Sequence, residues 1–199
     1  MRQPYSEQEL LAILTAAKEH GARSHAMVLC AYLHGVRASE VCGLRLSDLD
    51  TQNWQLRIAR LKGSLLSVQA VTSFRGQPLL DEQKTLKTWL AVRPTDAGDA
   101  LFPSQKGGCM DRSQFYRVFA EIAERAGLPE GRRNCHQLKH AIASHLIKAD
   151  MNLAKVQVAL GHRSISSTMK YVSVSDHQAD AARHDALLGL NWRAVGGGA

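Results

Sequence analysis

Between His136 and Val174 the chain reads HQLKHAIASHLIKADMNLAKVQVALGHRSISSTMKYVSV, a run dense in histidine and lysine with a tyrosine near its end. His136, Lys139 and His140 are spaced i, i+3, i+4 and therefore share one face of a helix. A metal site is one reading of that face. Histidines four apart have the spacing of zinc-binding helices, but Gln137 stands where H-E-x-x-H has its glutamate, no third ligand is evident, and Lys139 would repel a dication. His140 and His145 also suit ordinary packed or solvated helix positions. Farther on, His162 follows Gly161 at a helix start, and Tyr171 comes nine residues later. A tyrosine hydroxyl titrates near ~10 and is a nucleophile at neutral pH only with help, which neighbouring Arg, Lys and His would give. Its bland alternative is a half-buried aromatic on an amphipathic helix.

Upstream, HGVRASEVCGLRLSDLD places Arg37 at a helix start just after Gly35, with Glu40 three residues on. Backbone amides at such a start already favour an anion, and a guanidinium adds a bidentate fork that Glu40 would brace from within the local turn. Lys62 lies in the turn RLKGS beside a glycine, from where a lysine can protonate a leaving oxygen. Taken singly, Arg37 reads equally as a solvated helix charge and Lys62 as a plain turn lysine.

These residues need a scaffold that gathers them. Ser6 to Glu9 is a capping box, and Leu10, Leu11, Ile13 and Leu14 continue at helical spacing, predicting a helix to about Lys18. A buried helix over SHAMVLCAYLHG and a short one from Ala38 to about Leu44 follow. In NWQLRIARL, Trp54, Leu56, Ile58 and Arg60 alternate with more polar neighbours, the period of a strand. Further strands are expected at Leu65 to Val71 and Gln77 to Leu80, with Lys62 and Gly63 in the first turn. Helical patterning returns at Glu82 to Val92, Arg112 to Ala126, Cys135 to Ala149, Leu153 to Leu160, Ser164 to Val174 and His177 to Leu188. The expected fold class is mainly α with a small antiparallel β-sheet on its rim, an α+β domain over residues 1–192 with a flexible tail at 193–199.

The formal net charge of +7 and a pI near 9.5 favour a polyanionic partner. Cys30, Cys42, Cys109 and Cys135 lie far apart with no C-x-x-C pair, as expected for reduced thiols. No signal sequence is visible and no apolar run nears the ~20 residues that span a bilayer, so a soluble, cytoplasmic protein is expected.

The order Arg37, Lys62, H-x-x-K-H, G-H, Tyr171 is far more specific than any member. GVRASE, HQLKH and LGHRSISSTMKY resemble the boxes G-x-R-x-S-E, H-x-L-R-H and L-G-H-x-S-I-x-x-T-x-x-Y of the tyrosine recombinases, or phage-type integrases, from about Ser6 to Val174. HGVRASEVC and the RLK turn most resemble the short fimbrial phase-variation recombinases. The resemblance implies a site-specific DNA recombinase of the tyrosine recombinase catalytic-domain fold, integrating, inverting or resolving double-stranded DNA without metal or other cofactor. Tyr171 would be the nucleophile, forming a 3′-phosphotyrosyl bond. Arg37, Lys139, His136 and His162 would neutralise the phosphate, His136 would also assist proton transfer at the nucleophile, Lys62 would protonate the 5′ oxygen, and Glu40 and His140 would support. It also implies homotetramers on DNA, accessory DNA-bending proteins, a bacterial nucleoid setting and exchange of a C-terminal segment, here a helix at 177–190 docking through Leu187, Leu188, Leu190 and Trp192. No N-terminal core-binding domain is expected, leaving a minimal recombinase or a fragment. Lys139 departs from the family's second arginine and opens an alternative: a DNA-binding regulatory protein on the same scaffold with weakened catalysis. A type IB topoisomerase would share the chemistry but not the second box.

Overall fold

The computed structural model describes residues 3–60, 66–105, 107–161 and 164–172. Helix α1 (Glu7–His20) begins where the sequence requires: Ser6 Oγ accepts from the Glu9 amide at 3.2 Å and the Glu9 carboxylate accepts from the Ser6 amide at 2.8 Å. Helix α2 (Ala22–Leu33) is almost wholly buried, as its near-continuous apolar run demands. Gly35 follows at φ +55°, a left-handed value that glycine adopts without strain, and the chain enters the short helix α3 (Ala38–Cys42) with Arg37 as its N-cap residue.

Three short antiparallel strands follow, β1 (Leu49–Asp50), β2 (Gln55–Ile58) and β3 (Ser67–Ala70), in the order β1-β2-β3, with Ile58 opposite Ser67. Leu56 and Ile58 are fully buried, so the alternation in the sequence marks the core face correctly. Trp54 lies just outside β2 at φ +51°. The strand expected at Gln77 to Leu80 is absent, and β1 is the third strand instead. Pro78 has no amide for a ladder, and this segment turns on itself, the Leu80 amide donating to the Gln77 carbonyl at 2.9 Å. The turn delivers Asp81, whose carboxylate caps α4 (Glu82–Val92) at the Lys84 amide.

Helices α5 (Arg112–Arg125), α6 (His136–Lys148), α7 (Leu153–Ala159) and α8 (Ser166–Met169) complete the described fold. The last is shorter than its expected span, and Tyr171 follows it in a turn. Phe102, Phe115, Phe119, Leu138 and Ile142 join α1 and α2 in one hydrophobic core. Tyr5 packs into it and its hydroxyl reaches the Arg132 and Asn134 carbonyls, tying the entry of α1 to the segment that leads into α6. His145 is part of the same tie. Its Nε2 donates to the Tyr5 carbonyl at 3.0 Å and its Nδ1 pairs with the Tyr32 hydroxyl at 2.8 Å, so it is a packed histidine. No helix among the described residues is long and apolar enough to cross a membrane. The positions expected at Lys62 and His162, and the C-terminal helix at 177–190 with Leu187, Leu188, Leu190 and Trp192, lie outside the described residues.

Candidate active site

The start of α3, the first turns of α6, the end of α7 and the turn after α8 meet on one side of the sheet's β2 end. Arg37 comes from the first of these. Glu40, with a fully buried side chain, accepts from the Arg37 backbone amide at 2.7 Å and from its Nη1 at 2.9 Å, while a third of the Arg37 side chain stays exposed. A braced guanidinium with an open edge is suited to a phosphate oxygen.

From α6, His136 Nε2 pairs with the Tyr116 hydroxyl at 2.7 Å. Its pKa lies below the ordinary histidine value because burial disfavours the imidazolium and Arg37 repels it. Lys139, one turn on, donates from Nζ to the Leu160 carbonyl at 3.3 Å at the end of α7. Burial first, then the charges of Arg60 and Arg37, pull it down to about 8, against the attraction of Glu40. A lysine at about 8 is roughly nine-tenths protonated at neutral pH, so the cation survives.

Tyr171 is half-buried and its hydroxyl meets His140 Nδ1 at 2.5 Å. Burial raises the phenol above its ordinary value. Among the described residues its hydrogen-bond partner is His140, in a partly desolvated setting. His140 lies below the ordinary histidine value through burial, then through His136, Lys139 and Lys170. It is thus neutral near pH 7 and free to accept the tyrosine proton. His136 and His140 each engage a separate tyrosine.

Buried polar groups lie beneath these residues. Arg60, whose side chain is 0% exposed, donates to the carbonyls of His34 at 2.9 Å, Gly35 at 3.2 Å and Ala159 at 3.4 Å and to Ser67 Oγ at 3.3 Å. The available signal was parity: Arg60 continues the core-facing series of Leu56 and Ile58, a charge where a hydrocarbon belongs. His34 contacts the Glu82 carboxylate through Nε2 at 2.8 Å and the Gln69 side-chain oxygen through Nδ1 at 2.7 Å. The other end of that amide donates to the Ala159 carbonyl at 2.8 Å, which fixes its orientation. Both His34 nitrogens thus face acceptors, an arrangement that favours the imidazolium. Burial opposes that charge, but Glu82 and the two hydrogen bonds outweigh it and raise the pKa. Cys30 Sγ also donates to Glu82, at 3.2 Å. Cys30, His34 and Glu82 have metal-ligand spacing, yet protons already join all three, and the group is a buried ion pair.

The geometry meets a consistent set of relatives. Residues 5–178 match the model of the Phage integrase family. The type 1 fimbriae regulatory protein FimB of Escherichia coli K12 is 32% identical over 174 residues, 84% of this chain and 82% of that one. Tyrosine recombinase XerC of Herpetosiphon aurantiacus is 32% identical over 173 residues, 86% of this chain and 55% of its own. The XerH site-specific recombinase bound to its difH substrate superimposes with a TM-score of 0.75 at 25% identity, over 92% of this chain and 54% of that one. The chain thus spans about half the length of XerC and XerH and about four-fifths of FimB.

Proposed function

Because this chain belongs to the phage integrase family, and is by that kinship a site-specific tyrosine recombinase, we propose that it cuts and rejoins double-stranded DNA through a 3′-phosphotyrosyl intermediate at Tyr171. The observation that carries the proposal is the Tyr171–His140 hydrogen bond set beside Lys139 and the Glu40-braced Arg37.

In the proposed step the Tyr171 oxygen attacks the scissile phosphorus as its proton passes to His140 Nδ1, a role nearer the geometry than the expected one for His136. The P–O5′ bond breaks, and Lys62 is proposed to protonate the departing 5′ oxygen. Arg37, Lys139, His136 and His162 are assigned to the non-bridging oxygens, whose charge grows in the transition state. The 5′ hydroxyl of a partner strand then attacks the phosphotyrosine, reversing the step with the bond energy conserved, so no cofactor enters the scheme. The proposal extends to homotetramers pairing two recombination sites, with exchange of the segment at 177–190, accessory DNA-bending proteins, and action at the bacterial nucleoid.

The regulatory alternative turns on Lys139. Lysine gives up the planar fork of arginine. Its protonation at neutral pH favours the catalytic reading, since the charge the phosphate needs is present. The test is covalent trapping. Incubated with a duplex nicked beside the cleavage position, drawn from inverted repeats flanking the encoding gene, the protein should form an SDS-resistant adduct. Tyr171→Phe should bind the same duplex and form none. Binding without any adduct by the unaltered chain would sink the catalytic reading and leave the regulatory one.

A further inference from the structure

We propose that Arg60 is a positioning residue of the strand-cleavage site, clamping the approach to Arg37 and the end of α7 at one fixed separation. The inference rests on the recombinase reading of that site, since it assigns Arg60 a part in the same chemistry.

A buried arginine needs a reason, because removing a guanidinium from water is expensive and its nearest counter-charge, Glu40 Oε2, is 3.9 Å away. The reason lies in what the fork holds. On one side it takes the His34 and Gly35 carbonyls, immediately before the Arg37 turn; on the other it takes Ala159, in the last turn of α7. A hydrocarbon could fill the volume but could not tie either carbonyl set. The next carbonyl along, Leu160, receives Lys139, so the segment Arg60 holds is the one on which Lys139 rests.

Gly161 shows how closely that segment sits on the guanidinium. It adopts φ +61°, and a Cβ there would come within 2.9 Å of Arg60 Nε. The clamp thus lies between the approach to Arg37 and the carbonyl that Lys139 meets. Among the described residues, the charged groups acting on Lys139 are Arg60 from just beyond β2 and Arg37 and Glu40 from the start of α3; Lys139 in turn acts on His140 of its own helix, which His136 and Lys170 also face. Among these, Arg60 stands first of the charges that disfavour the Lys139 ammonium.

The test compares the unaltered chain with Arg60→Gln and Arg60→Lys after melting curves establish folding. Two quantities are read: single-turnover adduct formation from pH 6 to 10 on the nicked duplex, and the titration of the Lys139 ammonium in the DNA-free protein by lysine-labelled NMR. Arg60→Gln should bind the duplex normally, cleave at least about tenfold more slowly at pH 7, and titrate Lys139 at higher pH than the unaltered chain. Arg60→Lys should fall between the two in rate. An arginine serving stability alone would lower the melting temperature and leave both the rate and the Lys139 titration in place, and that result in a folded Gln variant overturns the proposal. If the Gln variant does not fold, the Lys variant decides: slower cleavage with normal binding supports the clamp, and an unchanged rate overturns it. Should the unaltered chain form no adduct, the recombinase reading fails on its own. The Lys139 titration then still decides whether Arg60 governs this pocket.

Discussion

At the scale of single residues, Lys139 and the His140–Tyr171 pair determine how the site responds to pH. Lys139 is held at about 8, and a base with a lowered pKa loses its charge as pH rises through that value. Adduct formation should therefore decline above about pH 8. His140 must be neutral to take the tyrosine proton, and its lowered pKa places the acid limb of the profile below the ordinary histidine value of ~6.5. A bell-shaped single-turnover profile is the expected outcome. Lys139→Arg should move the alkaline decline upward, because a guanidinium stays charged throughout; a decline left in place would assign that limb to another group. Phosphate in the pocket should also raise the Lys139 pKa, so DNA binding near pH 8.5 should take up a proton, read by calorimetry in buffers of different ionisation enthalpy. His136, Lys139 and His140 were legible as a common face because helical spacing is local. Which histidine reaches Tyr171 was not, since the tyrosine arrives from a turn 31 residues away.

At the scale of elements, the site depends on close contact between the α2–α3 turn and the end of α7. A Cβ at Gly35 would fall 2.5 Å from Leu160 Cδ2, and φ +55° adds backbone strain. Gly35→Ala should destabilise the fold by about 1–3 kcal/mol and push Leu160 from beneath Lys139, measurable as a lower urea midpoint and slower cleavage with duplex binding retained. The longer helices were readable because each buries apolar residues on one face and several carry a capping residue, such as Ser6, Asp81 or Asp111. The sheet was less so. A two-residue strand such as β1 offers no period to read, and at Gln77 to Leu80 alternation competed with Pro78 and lost.

For the molecule as a whole, the chain Glu82, His34, Gln69, Ala159 joins α4, α2, β3 and α7 through buried hydrogen bonds. His34 has a raised pKa. The stability it contributes is complete below the unfolded value of ~6.5 and is lost as pH rises through its higher folded value. His25, His136 and His140, with lowered values, give the opposite slope at more acid pH. Melting temperature should thus fall with rising pH between ~6.5 and about 8, where the lowered Lys139 begins to give the opposite slope, and His34→Ala should flatten that fall. Leaving Glu82 buried without its cation should cost about 3–5 kcal/mol in urea unfolding. A His34→Ala protein as stable as the unaltered one would show the pair to be dispensable.

Helical patterning, basic character and the ordered motif GVRASE, HQLKH, LGHRSISSTMKY are all legible along the chain, because periodicity, charge and short spacings are properties of neighbouring residues. It took the closed fold to bury Arg60, to pair His34 with Glu82, to bring Tyr171 to His140 and to rest Lys139 on the Leu160 carbonyl. Each of those outcomes depends on which distant carbonyls and carboxylates come within hydrogen-bonding reach once the core has closed, and desolvation then sets which charges survive.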